Sequence, residues 1–240
     1  MALSSRQASV LRAVVFLLCL GPFLRLVVDG IRGDLTANPI EDLTLRTGWW
    51  AITLLMVTLA ITPVRRLTGW NRLVQYRRML GLFAFFYASL HVAVYFGLDQ
   101  LLSFEYIAED ILDRPYITVG FTAWLLLVPL AITSTRGWIR RLGKRWQKLH
   151  RLVYVSAALA VLHFLWLVKA DTREPLIYAA VLGILLALWL YSRKKKPGQS
   201  FFQVVDRIVI VVALTGAPMG RTVPVAQLPL QPRHQREGVL

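Results

Sequence analysis

Two of the chain's four histidines, His91 and His163, sit in apolar runs that otherwise look suited to lipid. An ionisable group inside a bilayer costs free energy, so each is by default a candidate for function. Two neutral imidazoles on facing helices can ligate a b-type haem from both sides, which needs no cysteine and leaves the iron six-coordinate and suited to electron transfer. A flat macrocycle also needs clearance. Gly81, Ala84 and Ala88 precede His91 at helical spacing, and Ser156 and Ala160 precede His163, giving each histidine face a stripe of small residues. Small stripes also serve close helix packing, and a lone histidine can simply hydrogen-bond a carbonyl. A pair at matched depth is what favours haem.

His150 is a third candidate, with less to support it. It lies about 20 Å from His163 along an ideal helix and is turned about 140° away. A second symmetrical haem would need a partner 13 or 14 residues before His91, where Arg78 and Arg77 stand. A guanidinium is no iron ligand, so these residues support one haem and not two. His150 could touch a second cofactor, act as an unpaired ligand, or sit in a basic interfacial turn. His234 lies in a proline-containing tail and is set aside.

The elements that must position these residues are membrane spans. With 56% hydrophobic and 17% charged residues the chain is too apolar for an ordinary soluble domain. Its net charge of +15 comes from short clusters between apolar runs, the pattern of a multi-span protein with basic loops and not of a nucleic-acid binder. The single cysteine, Cys19, excludes an intrachain disulfide, a CxxC metal site and covalent CxxCH haem. Six segments approach the length of about 20 residues that a span requires: Leu11 to Val28, Trp49 to Val64, Met79 to Leu98, Tyr116 to Thr133, Leu152 to Val168 and Pro175 to Tyr191. The first resembles a signal peptide but lacks a cleavage site, and reads as a retained span.

Charge sets the orientation. Arg65, Arg66, Arg72, Arg77 and Arg78 lie between spans two and three, and Arg136, Arg140, Arg141, Lys144, Arg145, Lys148 and Arg151 between four and five. These loops face the cytoplasm and both termini with them, while Asp99, Glu105, Glu109, Asp110 and Asp113 face outward. Counted from the cytoplasmic edge, His91 rises about 18 Å and His163 about 21 Å, so both imidazoles reach the outer half of the bilayer. Trp49, Trp50 and Trp166 fit an interfacial aromatic belt. The expected class is therefore an all-α membrane protein, a six-helix bundle over residues 1–196. No internal repeat is evident. Residues 197–240, with Pro218, Pro224, Pro229 and Pro232, read as a largely disordered extension, in which Arg207 to Leu214 is too short to span.

Several stretches carry a resemblance. "NPIEDLTLRTGWWA", "TPVRRLTGW", "RRMLGLFAFFYASLHVAVYF", "RPYITVGFTAWLLLVPLAITS" and "LGKRWQKLHRLVYVSAALAVLHFLWLVKAD" closely resemble the MsrQ family, haem-binding membrane subunits of bacterial methionine sulfoxide reductase systems within the ferric reductase-like transmembrane group. The likeness covers about residues 38–191. It implies an inner-membrane, electron-transfer subunit that does not itself reduce sulfoxides. Electrons would pass from a cytoplasmic flavin reductase or the quinol pool, through FMN and haem b, to a periplasmic MsrP-like molybdopterin enzyme that repairs oxidised envelope proteins. The family's haem ligands map onto His91 and His163, and its third histidine onto His150. Arg77 and Arg78, with Arg140 and Arg141, could hold an FMN phosphate through guanidinium forks, or be ordinary positive-inside charges. "NPIEDLTLRTG" could cap the outer haem edge or dock the partner; its plain reading is a helix start with Asn38 as N-cap, Pro39 next and Glu41 completing a capping box. The competing class is a non-redox transporter or membrane scaffold whose histidines serve protons, metal ions or packing. A transporter is expected to show repeats or helices broken at mid-membrane.

Overall fold

The computed structural model describes residues 4–100, 102–168 and 171–194. The 197–240 extension, including Arg207 to Leu214, lies outside the described residues.

Among the described residues nine α-helices run in order: α1 Ser5–Arg32, α2 Pro39–Thr68, α3 Val74–Val94, α4 Phe104–Asp113, α5 Pro115–Ile132, α6 Arg136–Leu142, α7 Lys144–Leu149, α8 Leu152–Leu167 and α9 Arg173–Lys194. A 3-10 turn leads into α3 and a π turn, Tyr95–Asp99, leaves it. Among the described residues six segments are long and apolar enough to cross a membrane, and they match the six expected spans in order. They are longer than hydropathy alone outlines. The second runs from Pro39, ten residues before Trp49, because its polar start is held by local bonds. Asn38 accepts from the Glu41 N–H and donates through Nδ2 to the Glu41 carboxylate, a side-chain version of the expected capping box. Farther along, the Thr44 and Thr47 hydroxyls return to carbonyls one turn back, so threonines cost little in this apolar setting.

Two antiparallel helix pairs, α2 with α3 and α5 with α8, form the centre, and the core cluster draws Leu55, Leu59, Phe83, Ala84, Tyr87, Leu127, Ala157 and Val161 from them. Side-chain hydrogen bonds join the helices where small polar groups meet. Ser156, fully buried, donates to the Ala123 carbonyl across α8 and α5 (2.8 Å), Trp124 Nε1 reaches Ser89 Oγ across α5 and α3 (3.0 Å), and Thr53 pairs with Tyr178 across α2 and α9 (2.7 Å). Helix α1 is tied on at its proline. Pro22 removes a backbone donor, and the buried Tyr87 hydroxyl accepts from the Phe23 N–H (3.0 Å) while donating to the Cys19 carbonyl (2.8 Å), the two groups that pair in an unbroken helix.

The connections differ in charge as expected. Arginines and lysines collect where α2 meets α3 and along α6 and α7, and carboxylates collect around α4 at the opposite end of the pairs. The acidic connection is itself ordered: Asp110 accepts from Tyr95 and Gln100 (both 3.0 Å) and pairs with Arg114 (3.2 Å), closing α4 onto the π turn. Of the tryptophans expected in an interfacial belt, Trp49 and Trp166 are exposed, whereas Trp50 turns inward against Tyr87.

Candidate functional site

His91 on α3 and His163 on α8 face one another across a cavity of about 600 Å³ enclosed by the two central pairs. Their ring centroids are 6.2 Å apart and their planes stand at 78°. Each ring is held in the same manner. His91 Nδ1 meets the Thr44 carbonyl of α2 (2.9 Å), and His163 Nδ1 meets the Tyr116 carbonyl of α5 (2.7 Å). A carbonyl can only accept, so Nδ1 carries the proton, and in the neutral ring Nε2 then keeps its lone pair for a ligand.

A glycine one turn beyond each carbonyl makes room for the ring. A Cβ on Gly48 would stand 3.1 Å from His91 Nδ1 and Cε1, and a Cβ on Gly120 would stand 2.6 Å from His163 Nδ1. Real Cβ contacts avoid the second distance altogether, so only glycine fits at 120 without moving the imidazole.

These correspondences extend across the whole cavity. Every lining residue from the α2–α3 side, Thr44 through Asp99, has a lining counterpart 72 positions later: Thr44 with Tyr116, Gly48 with Gly120, Ala84 with Ser156, Ala88 with Ala160, His91 with His163, Asp99 with Asp171. The expectation of no internal repeat is therefore corrected. The repeat is a helix pair that keeps the same lining positions, with identical residues at Gly48 and Gly120, Ala51 and Ala123, Leu55 and Leu127, Ala88 and Ala160, His91 and His163, and Asp99 and Asp171. Both copies run in the same sense, and α2, α3, α5 and α8 pass the site unbroken. The wall is apolar at depth, with Leu55, Ala84, Ala123 and Leu127, and becomes polar at the mouth with Asp99, Arg114, Asp171 and Glu174.

The other sequence-predicted residues lie toward the arginine-rich end. His150 occupies the turn between α7 and α8, stacked on Trp146 with centroids 3.9 Å apart, its Nδ1 against the Trp146 carbonyl (3.2 Å). Its Nε2 is buried and makes no hydrogen bond, the neighbouring Leu130 carbonyl being out of bonding geometry. Arg77, half-buried, donates to the Thr62 hydroxyl (3.0 Å) and is within electrostatic reach of His150. Arg78 is exposed, as are Arg140 and Arg141, the last lying over the Trp138 ring. The two adjacent arginines thus have different surroundings. Arg78 is the repeat counterpart of His150. In the NPIEDLTLRTG stretch, Thr44 and Gly48 do reach the histidine site, while Arg46 is taken up by Asp29 (2.7 Å) and Asp42 (3.3 Å). Sequence reasoning passed over Gly120, the Tyr116 carbonyl and Arg114. The first two were within reach through the 72-residue offset, which a search by span, not by side chain, does not register.

No group of three or more histidine, cysteine or acidic side chains that could hold a metal ion occurs among the described residues. The pair can instead supply two axial nitrogens to a metal carried in a flat ligand that fills the cavity.

Comparison with known proteins identifies the family. Residues 47–161, which contain both glycines and His91, match the model for the ferric reductase like transmembrane component. A Xanthomonas campestris pv. campestris protein described as the protein-methionine-sulfoxide reductase heme-binding subunit MsrQ is 58% identical over 159 residues, 66% of this chain and 73% of that one. The protein of that name from Xanthomonas axonopodis pv. citri is 55% identical over 166 residues, 69% and 76% of the two chains. That from Rhodospirillum rubrum is 52% identical over 192 residues, 79% and 92%. No solved structure matches. The chain belongs to the MsrQ family, and residues 47–161 form its ferric reductase-like transmembrane component.

Proposed function

We propose that the protein is a b-type cytochrome subunit that relays electrons across the bacterial inner membrane to a periplasmic MsrP-like molybdopterin methionine sulfoxide reductase, supporting repair of oxidised envelope proteins. The observation that carries the reading is the spacing of the two imidazoles. An imidazole nitrogen binds a metal at about 2 Å, and with about 1 Å more from nitrogen to ring centre on each side, two axial imidazoles sharing one iron have centroids about 6 Å apart. The 6.2 Å separation meets that requirement with both Nδ1 atoms already committed to carbonyls. His91 and His163 would hold the haem, whose iron supplies one-electron chemistry when bound. The protein's part is to fix both ring orientations, keep Nε2 unprotonated, and exclude water with an apolar wall.

Two strong axial ligands leave no iron position for substrate, which suits a relay and places sulfoxide reduction on the partner. Basic connections favour the cytoplasmic side, so the start of α1 and the end of α9 would lie there and the histidine site toward the periplasm. A single haem in that half leaves much of a hydrocarbon core about 30 Å thick to be crossed, and an inner cofactor is required. We assign it as FMN, beside His150 and Arg77. The buried, unbonded Nε2 of His150 and the stacked Trp146 support a planar heteroaromatic neighbour there, and Arg77 supports an anionic one. Arg78, being exposed, fits a phosphate at the membrane edge. The donor would be a cytoplasmic flavin reductase or the quinol pool. The transporter or scaffold alternative would be favoured by helices broken at the site; the four that line it are continuous.

The test is directional electron flow. Protein reconstituted in vesicles with a flavin reductase and reduced nicotinamide on the arginine-rich side is expected to show haem reduction, and reoxidation when an MsrP-like enzyme and methionine sulfoxide are supplied on the other. Haem that stays reduced in the presence of the coupled partner would contradict the relay.

A further inference from the structure

The cavity mouth breaks the pattern of the rest of the site. Every α2–α3 lining residue has its counterpart 72 positions on, but Ile111, Arg114, Glu174 and Pro175 have none that lines the cavity, and of these Arg114 and Glu174 are charged. Arg114 is also the one cation among the described lining residues, and it shares the mouth with three carboxylates, Asp99, Asp171 and Glu174. An arginine there is hard to explain by the cavity's own acids, since the carboxylate it pairs with is Asp110, outside the lining (3.2 Å).

We infer that Arg114 is a positioning residue for haem, its guanidinium anchoring a propionate at the cavity mouth. The inference rests on the haem reading above and deepens it. A haem b has an apolar edge and an edge with two carboxylates. Only the mouth can receive the second edge, because the deep wall offers Leu55, Ala84, Ala123 and Leu127, with Ser156 already donating to Ala123. At the mouth two propionates would meet Asp99, Asp171 and Glu174, and like charges at close range oppose one another. A guanidinium offers five donors in a fixed fork, so Arg114 can accept a propionate through one edge while keeping Asp110 on another. Its position is fixed from both sides: it is the last residue before Pro115 opens α5, its N–H bonds the Asp110 carbonyl of α4, and its carbonyl accepts from Ile117. Tyr116, whose carbonyl holds His163, lies two residues along the chain from Arg114 and directly after Pro115, so the same junction orients the axial ligand and the propionate anchor.

The experiment is a cycle between protein and cofactor. The full chain in detergent is loaded with haem or with haem dimethyl ester, in which both propionates are neutral, and loss to excess apomyoglobin is timed for unaltered protein, Arg114→Gln and Arg114→Lys. Each sample must first show the six-coordinate spectrum. Unaltered protein is expected to release the ester about tenfold faster than haem, as for loss of a charge-assisted hydrogen bond. Arg114→Gln should release haem about as fast as ester, and Arg114→Lys should recover part of the difference. Equal acceleration of both ligands by Arg114→Gln would make the residue part of the mouth's framework only and overturn the assignment, as would unchanged rates for both. Failure of the unaltered protein to take up haem at all would instead remove the reading on which the inference stands.

Discussion

At the mouth-facing half of the core, the α2–α3 and α5–α8 pairs do the same thing with equivalent residues: a carbonyl, a glycine one turn on, and a histidine facing its twin. At the arginine-rich end the same two pairs diverge. Position 78 is an exposed arginine, and its counterpart 72 residues later, His150, is folded onto Trp146 with Nε2 buried. One end has kept the symmetry that a metal between two equal ligands demands. The other has lost it, and a site with unlike walls suits an unsymmetrical cofactor that needs an aromatic neighbour on one side and a cation on the other.

The largest effect should come from removing either member of the matched pair. His91→Ala and His163→Ala should each abolish the low-spin spectrum, because one imidazole cannot maintain six-coordination, while the spans still insert. Retention of the unaltered spectrum at full occupancy in either variant would break the comparison at its root. The glycines sharpen it by degree. Gly120→Ala puts a methyl carbon 2.6 Å from His163 Nδ1, and should weaken haem retention by about 1–3 kcal/mol, five- to more than a hundredfold. Gly48→Ala, at 3.1 Å from His91, should cost less. Haem-loss rates in the two variants measure this, and an equal or reversed order would show that the closer approach at Gly120 is not what limits the two rings.

The unlike end should respond in the opposite way. His150→Ala, and Arg77→Gln with Arg78→Gln, should leave haem content and spectrum near normal, lower bound flavin per haem, and slow haem reduction by a flavin reductase. Loss of about half the haem per chain in His150→Ala would establish a second haem and restore symmetry to this end. Unchanged flavin and unchanged rate would leave the arginines as topology signals. The smallest effect belongs to Ser156→Ala, the counterpart position to Ala84: losing one interhelical hydrogen bond inside a membrane protein costs about 0.6 kcal/mol, visible as a slight fall in thermal stability with the spectrum intact.

Much of this was legible in the sequence, and the reason differs by element. The six spans and the His91–His163 pair are set by hydropathy and by the 1.5 Å helical rise, both local properties that survive without knowledge of packing. Helix α2 begins ten residues before its apolar run because capping and threonine back-bonding satisfy its polar start, which a hydropathy window counts as loop. Gly120 looked like one more small residue in an apolar span. Its purpose depends on a ring approaching from α8, a contact between distant residues. Arg114 stands in the sequence as a single base beside an acidic connection, and only the cavity's outline shows that it alone among the described lining residues brings positive charge there. The repeat escaped because its two copies are identical at only some of the cavity-facing positions and at few others.

The account's central claim is that one iron lies between His91 and His163. The most direct test is to purify the full chain from cells supplied with haem, count haem and protein in the same sample, and record oxidised and dithionite-reduced visible spectra. The account predicts one haem per chain, with a reducible Soret band and sharp low-spin bands. Absence of a reducible Soret band under adequate haem supply, or a high-spin five-coordinate spectrum, would contradict it.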